Sequence, residues 1–569
     1  MSQKQIVNLK FITTSDIHGA IFQYDFIENE VTSSSLAQIY TYIKEQRQNK
    51  DQEIILLDNG DFLQGQPIVF YSNQFYSKYR NFRHICAEVM NFMQYDAASV
   101  GNHDIEAGHE VYDRLKEDLN FPWLAANAIN IETGEPYFEP YTIITRQGVK
   151  IAILGLITPA IPLWLPESKW SGIEFEDMVE TAKKWMQYIK EVEKPDLIVG
   201  LFHAGVDYTY NRQDENTYKN ENATILVATK VPGFDVIFSG HDHQENNLKV
   251  QNIEGNEVII LNPKSLANYV SLVSVEMHFN AEKQRYEKYD ITGLNLQMNF
   301  CETHSEFKSK FEKEIITVKK YVSEPIGNFT RSISSRESLF GDTGFVDLIH
   351  TIQLEYSNAD VSFAAPLTFD SRIKKGTVYV RDMFKLYKFD NILYVIWLTG
   401  QEIKDYLEFS YALWFNTMTS LNDPILNFKY NYKGELVMAE KYYNFSSAAG
   451  IVYTVDLKKP AGNKVEIQSL ANGEPFLLDK KYKVVLNSYR GNGGGGHLID
   501  GSGISHSQLH QRIILKSEKD VRTIIMEWIT EKQNVTPSAL GQWRAIPKSW
   551  WHRGRQNAIQ ILFNNNKKS

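Results

Sequence analysis

Residues 53–61 read Glu-Ile-Ile-Leu-Leu-Asp-Asn-Gly-Asp. Four consecutive apolar residues, Ile54 to Leu57, suit a strand covered on both faces rather than one alternating between core and water. The run then breaks into a turn carrying Gly60 and the carboxylate of Asp61. The same pattern recurs at Leu9–Thr13, Ala97–Val100, Lys150–Ile157, Asp196–Phe202, Asp235–Phe238 and Glu257–Leu261, each predicted as a strand. Leu36–Gln48 and Met178–Val192 have apolar residues at three- and four-residue steps and are predicted as helices. Strands alternating with helices predict a layered α/β domain.

Further along, Glu302–Lys320 is highly charged, keeps apolar positions at helical spacing and lacks Gly and Pro. It predicts a linker helix closing the first domain. Renewed alternation, with strands near Val361–Phe363, Leu393–Leu398 and Lys483–Leu486, predicts a second α/β domain. The expected division is 1–300, a linker at 301–323, and 324–569. The tail from Ser549, rich in Trp, Asn and Lys, is expected to lie as a strap on the surface.

A chain of 569 residues is long for one core, and 43% hydrophobic with 23% charged residues describes an ordinary globular protein. Sixty basic against 69 acidic residues give a net charge of −9, which argues against a nucleic-acid polymer as partner. Cys86 and Cys301 form no paired-ligand spacing. The most apolar stretch, Val149 to Pro166, carries Lys150 and three prolines and is not a membrane span. The first ten residues hold no apolar run of signal-peptide length, so a cytosolic protein and one lacking its leader both stay open.

Five polar clusters follow five predicted strands: Asp16-Ile17-His18, Gly60-Asp61, Gly101-Asn102-His103-Asp104, His203, and Gly240-His241-Asp242-His243. The carboxyl ends of strands in an α/β sheet form the crevice where ligands bind. One Asp-x-His alone is more often structural; five clusters in this arrangement read as a site. Asp, Asn and His without thiolate suit Zn²⁺, Mn²⁺, Fe or Co²⁺. Seven candidates, Asp16, His18, Asp61, Asn102, His203, His241 and His243, exceed one tetrahedral ion and suffice for two if Asp61 is shared. Paired ions are a standard device for phosphate-ester hydrolysis.

These clusters resemble the calcineurin-like metallophosphoesterases, whose pattern is D-x-H, G-D, G-N-H-[D/E], a later H, and G-H-x-H. The resemblance implies an αββα first domain and a 5′-nucleotidase-type second domain. It also implies one metal on Asp16, His18, Asp61 and His243 and another on Asp61, Asn102, His203 and His241. His103 would face the leaving-group oxygen as stabiliser or general acid, oriented by an acidic partner. Glu106, three positions on, is favoured over the adjacent Asp104.

In the second half, Tyr387-Lys388-Phe389-Asp390-Asn391 and Asn487-Ser488-Tyr489-Arg490-Gly491-Asn492 precede an apolar strand and a Gly493–Gly496 run. An aromatic on each loop can stack on a nucleobase. With Ala364-Ala365-Pro366 and Tyr443-Asn444-Phe445, these segments resemble the 2′,3′-cyclic-nucleotide 2′-phosphodiesterase/3′-nucleotidase branch. That implies Phe389 and Tyr489 as a base clamp, with Asn391, Arg490 and Gly494 beside it. Gly495 stands where 5′-nucleotidases carry Asp. The function implied is a two-metal hydrolase of 2′,3′-cyclic or 3′-nucleotides. A 5′-nucleotidase or nucleotide-sugar hydrolase is the alternative, and a non-catalytic surface binding protein the alternative of another class. A periplasmic or cell-surface location comes with the resemblance.

Overall fold

The computed structural model describes residues 5–430 and 436–564. The chain divides into two compact units, Met1–Lys320 and Tyr321–Ser569.

Two six-stranded sheets build the first unit. One runs Arg285–Gln297, Tyr269–Asn280, Ile6–Thr14, Glu53–Asp58, Ala97–Ser99, Trp123–Leu124; the other Glu245–Gln251, Glu257–Pro263, Val236–Ser239, Leu197–His203, Val149–Ile157, Tyr141–Arg146. Leu9, Phe11 and Leu57 of the first share a core with Ile153, Val199 and Phe238 of the second, so the sheets pack face to face. Ala152, Leu154 and Ile198 point the other way and pack with Met178, Ala182 and Met186 of the helix Met178–Tyr188. Both faces of these strands are therefore buried, which is why their sequences are continuously apolar. Each fully buried Leu or Ile contributes about 1.5–3 kcal/mol.

The central strands of each sheet run parallel: Ile6–Thr14 beside Glu53–Asp58 and Ala97–Ser99, and Val149–Ile157 beside Leu197–His203 and Val236–Ser239. Their carboxyl ends carry the five polar clusters. The antiparallel pair Tyr269–Asn280 and Arg285–Gln297 lies outside the sequence expectation. Its outer strand is largely exposed and polar, so it carries little hydrophobic signal.

In the second unit a five-stranded sheet runs Ser447–Ala449, Val361–Ala364, Lys481–Asn487, Ile392–Thr399, Ile513–Asp520. Leu393 and Val395 enter one core while Tyr394, Ile396 and Leu398 enter another on the opposite face. Two expectations are corrected. The segment expected as one linker helix is two, Ser305–Lys310 and Glu312–Val322, broken at Phe311. Phe307 and Phe311 turn inward there against Phe22 and Phe92. The tail is a helix, Lys548–Ile559, rather than a strap: Gly554 and Ala558 are buried, and the Trp551 indole donates to Phe340 O at 2.6 Å. Its final residues, 565–569, lie outside the described ones. Among the described residues no helix is long and apolar enough to cross a membrane.

Candidate metal centre

The turns after the strands interlock through backbone contacts. Asp16 N–H donates to Gly60 O and His18 N–H to Asp61 O, both at 3.0 Å, and Asn59 Nδ2 reaches across the sandwich to Phe202 O at 2.9 Å. Close approach explains the motif glycines. A Cβ on Gly101 would fall 2.2 Å from Asp61 Oδ1, and one on Gly240 would fall 2.4 Å from Ser15 Oγ.

Five of the seven expected ligands sit in the left-handed backbone region: Asp16, His18, Asp61, His241 and His243, with φ between 47° and 71°. Such conformations are uncommon for these residues and persist where surrounding structure enforces them. Here they turn the side chains back over the strand ends.

The structure brings all seven together. Asp16, His18, Asp61 and His243 present ligand atoms within 4.8 Å of one another. His18 Nε2 lies 2.9 Å from His243 Nε2, and His243 Nε2 lies 3.3 Å from Asp16 Oδ1. On the other side, His203 Nε2 is 3.1 Å and His241 Nδ1 2.8 Å from Asn102 Oδ1. Asp61 Oδ2 stands between the groups, 3.9 Å from His18 Nε2 and 3.3 Å from His203 Nε2.

The remaining ring nitrogens test whether cations fit. His203 Nδ1 meets Asn59 O at 2.6 Å and His18 Nδ1 meets Gln64 O at 3.3 Å. A carbonyl partner requires N–H at Nδ1, so the lone pair a cation can take is the inward-aimed one at Nε2. Imidazole nitrogens, an amide oxygen and carboxylates then face one another, a donor set that fits cations.

Charge supports the same reading. Burial opposes ionisation of Asp61, but His203 and His103 outweigh it and hold the carboxyl well below the usual range. Burial likewise opposes charge on His203, yet Asp61 lifts it to about 10. His18 is pushed down to about 3 by burial and then by His243, as suits a neutral ligand. A proton on His203 and a cation beside it compete for the same lone pair.

His103 stands at the edge of this group, its backbone N–H donating to Asp61 Oδ1 at 2.8 Å. Its Nδ1 meets Glu106 Oε2 at 2.5 Å, one helical turn along Asn102–Glu106. Burial works against its charge, but Asp61 and then Glu106 prevail and raise it to about 9. Asp104, expected in the catalytic group, is placed elsewhere. Fully buried, it accepts from the backbone N–H of Asp61, Phe62, Leu63 and Gly101 at 2.8–3.0 Å. It clasps the Asp61 turn and does not meet His103. Sequence reading missed Glu221, whose Oε1 lies 3.3 Å from His241 Nε2, and Trp164, which stacks on the His241 ring.

In the second unit, Phe389 and Tyr489 are both half-buried. Phe389 meets Tyr443 edge-to-face at 6.4 Å, and Gly494 lies so close to the Tyr489 ring that a Cβ would fall 2.5 Å from it. Arg490, expected to touch substrate, is instead buried in its own loop. Its guanidinium donates to Gly494 O at 2.7 Å, Tyr443 O at 3.1 Å and His497 Nδ1 at 2.9 Å. Asn391 is also buried, accepting from the Tyr387 hydroxyl at 3.4 Å.

The calcineurin-like phosphoesterase family profile matches residues 9–245, and the profile of the 5′-nucleotidase C-terminal domain matches residues 321–500. The Bacillus subtilis trifunctional nucleotide phosphoesterase protein YfkN is 26% identical over 95% of this chain, which spans 39% of that longer protein. A Yersinia enterocolitica 2′,3′-cyclic-nucleotide 2′-phosphodiesterase/3′-nucleotidase is 25% identical, covering 95% of this chain and 89% of its own length. A crystal structure from Staphylococcus aureus, described as a 5′-nucleotidase, aligns over 95% of this chain and 99% of its own with a TM-score of 0.78 at 20% identity, a likeness of fold.

Proposed function

The chain belongs to the calcineurin-like phosphoesterases that carry a 5′-nucleotidase C-terminal domain, and from that premise we propose that it hydrolyses 2′,3′-cyclic nucleotides and 3′-nucleotides with two divalent cations. It is a metal-dependent phosphoester hydrolase with a nucleotide as substrate. The observation that carries the two-cation reading is Asp61 Oδ2 standing between two sets of inward-facing acceptors. Asp16, His18, Asp61 and His243 would hold one cation; Asp61, Asn102, His203 and His241 the other. When bound, the pair supplies positive charge to the phosphoryl oxygens and makes a nearby water acidic enough to attack at neutral pH.

This chain's own residues do the rest. His103, its charge favoured by Asp61 and Glu106 and its ring held by Glu106, would give a proton to the departing ribose oxygen. Asp104 keeps the Asp61 turn in register with Gly101, so that ligand and acid are built on one clasp. Phe389 and Tyr489 offer aromatic faces for the base, and Arg490 shapes the glycine loop against Tyr489.

The preference for cyclic and 3′ substrates rests on the second-half motifs and on relatives bearing that activity along nearly their whole length. Incubating the metal-loaded enzyme with 2′,3′-cyclic AMP, 3′-AMP and 5′-AMP side by side tests it. Turnover of the first two ahead of 5′-AMP is expected. Turnover of 5′-AMP alone would assign the chain to the 5′-nucleotidases.

A further inference from the structure

His241 is gripped on both its edge and its face. Its Nδ1 points at Asn102 Oδ1, 2.8 Å away, while Nε2 points outward to the carboxylate of Glu221 at 3.3 Å. The indole of Trp164 lies over the ring at 5.3 Å between centroids, with only 25° between planes. The backbone of His241 is itself constrained, with φ of 71° and its N–H directed at Asp16 Oδ1 at 3.1 Å.

Glu221 is not a loose surface acid. Its side chain is about nine-tenths buried, its N–H donates to Gln213 Oε1, and its carbonyl accepts from Thr158 Oγ1, each at 2.9 Å. Its neighbours are tied down as well: Asn220 Nδ2 donates to Tyr208 O and Asn222 Oδ1 accepts from Gly205 N–H. Trp164 closes the short turn Ile161–Leu163 after the strand Val149–Ile157. Two loops from different strands thus converge on one imidazole.

We propose that Glu221 and Trp164 are positioning residues for the Asn102–His203–His241 half of the centre: the carboxylate fixes His241 as the Nε2–H tautomer, and the indole fixes its ring plane, so that Nδ1 is always presented as a ligand. The chemistry requires this. An imidazole that binds through Nδ1 must carry its proton on Nε2, and an anion at Nε2 both enforces that tautomer and makes Nδ1 a stronger donor. His203 and His18 are oriented by backbone carbonyls, which are neutral. On the nitrogen turned away from the centre, His241 instead meets a carboxylate. Its half of the centre therefore depends on a side chain that can be changed without touching any ligand.

The assignment rests on the two-cation reading, and a Co²⁺ titration of the full-length, metal-stripped chain separates the two. Absorption reports Co²⁺ occupancy and tryptophan emission reports the indole beside His241. The wild-type chain is expected to take up two Co²⁺ with a change in emission. Glu221→Ala should weaken one of the two sites about 10–100-fold and leave the other unchanged. Glu221→Gln, which keeps an oxygen but not the charge, should fall between. Trp164→Phe should keep near-wild-type affinity and lose most of the emission change, whereas Trp164→Ala should weaken the same site as Glu221→Ala by a few-fold. Wild-type affinities at both sites in the folded Glu221→Ala and Glu221→Gln chains would overturn the proposal while sparing the two-cation reading. An emission change undiminished in Trp164→Phe would remove Trp164 from it. A wild-type chain that takes up fewer than two Co²⁺ would overturn both.

Discussion

The two polar regions of this molecule are built on opposite principles. Around Asp61 in the first unit, atoms able to bind a cation crowd together: two imidazole nitrogens lie 2.9 Å apart, and two more converge on one amide oxygen. Around Arg490 in the second unit, donors meet acceptors. Its guanidinium serves Gly494 O, Tyr443 O and His497 Nδ1, and His497 Nε2 in turn reaches Asn444 O at 2.9 Å. The first region gathers a donor set that could hold metal. The second pairs its guanidinium with its own loop and presents the half-buried rings of Phe389 and Tyr489. On the proposed function, a site for catalysis would be left open to charge, and a site for selecting a flat base would be closed around its polar groups.

The contrast is broken most sharply by Asp61→Asn, which keeps shape and removes the shared charge. Turnover should fall by more than the ~100-fold typical of losing an outer partner, with loss of metal from both halves. Retained turnover, measured with any aryl phosphate, would mean a different cage. Next in size, His103→Ala should lower kcat by ~10²–10⁴-fold with Co²⁺ uptake intact, and Glu106→Gln should lower it by less. A change in metal stoichiometry in either variant would place His103 among the ligands instead.

In the second unit the expectation is reversed: polar substitutions should cost stability and aromatic ones should cost binding. Arg490→Ala strands several buried acceptors and should destabilise the fold by about 3 kcal/mol, read by denaturant unfolding. Phe389→Ala and Tyr489→Ala should leave unfolding unchanged and raise KM for nucleotides by an amount equivalent to ~1–3 kcal/mol each. Aryl phosphate turnover should be unaffected by these two changes.

Two buried carboxylates, Asp61 in the first unit and Asp347 in the second, differ in their neighbours, and the smallest effect expected follows from that. In the first unit imidazoles hold Asp61 ionised. In the second, Asp347 has Asp342 beside it and accepts from Leu540 N–H, and burial followed by the Asp342 neighbour raises its carboxyl to about 9. The folded chain then keeps a proton that the unfolded chain loses near the ordinary carboxyl value. Stability from this group is full below about pH 4 and drains away as pH rises toward 9. Asp347→Asn should flatten that part of the pH–stability curve; an unchanged slope would show that the pair does not share a proton.

Much of this was legible in the sequence, for reasons visible in particular residues. Ile54 to Leu57 read as a strand because both its faces are buried, and the clusters read as a site because each follows such a strand. The orienting acid was harder. Asp104 and Glu106 both offer a carboxylate near His103; the resemblance favours Glu106, and the short helix puts Glu106 one turn from His103 while tucking Asp104 beneath Asp61. Glu221 and Trp164 gave no signal, since their contact with His241 depends on how loops of irregular structure fold back. Arg490 was read as a ligand contact because a buried arginine beside glycines looks the same in sequence whether it binds a guest or its own loop.

The central claim is that the acceptors around Asp61 are two half-cages sharing one carboxylate. Elemental analysis of the purified chain, equilibrated with Mn²⁺ or Zn²⁺ and freed of excess, measures this directly. The expected result is two ions per chain in the wild type and loss of both in Asp61→Asn. One ion per chain, or two that survive the substitution, would contradict it.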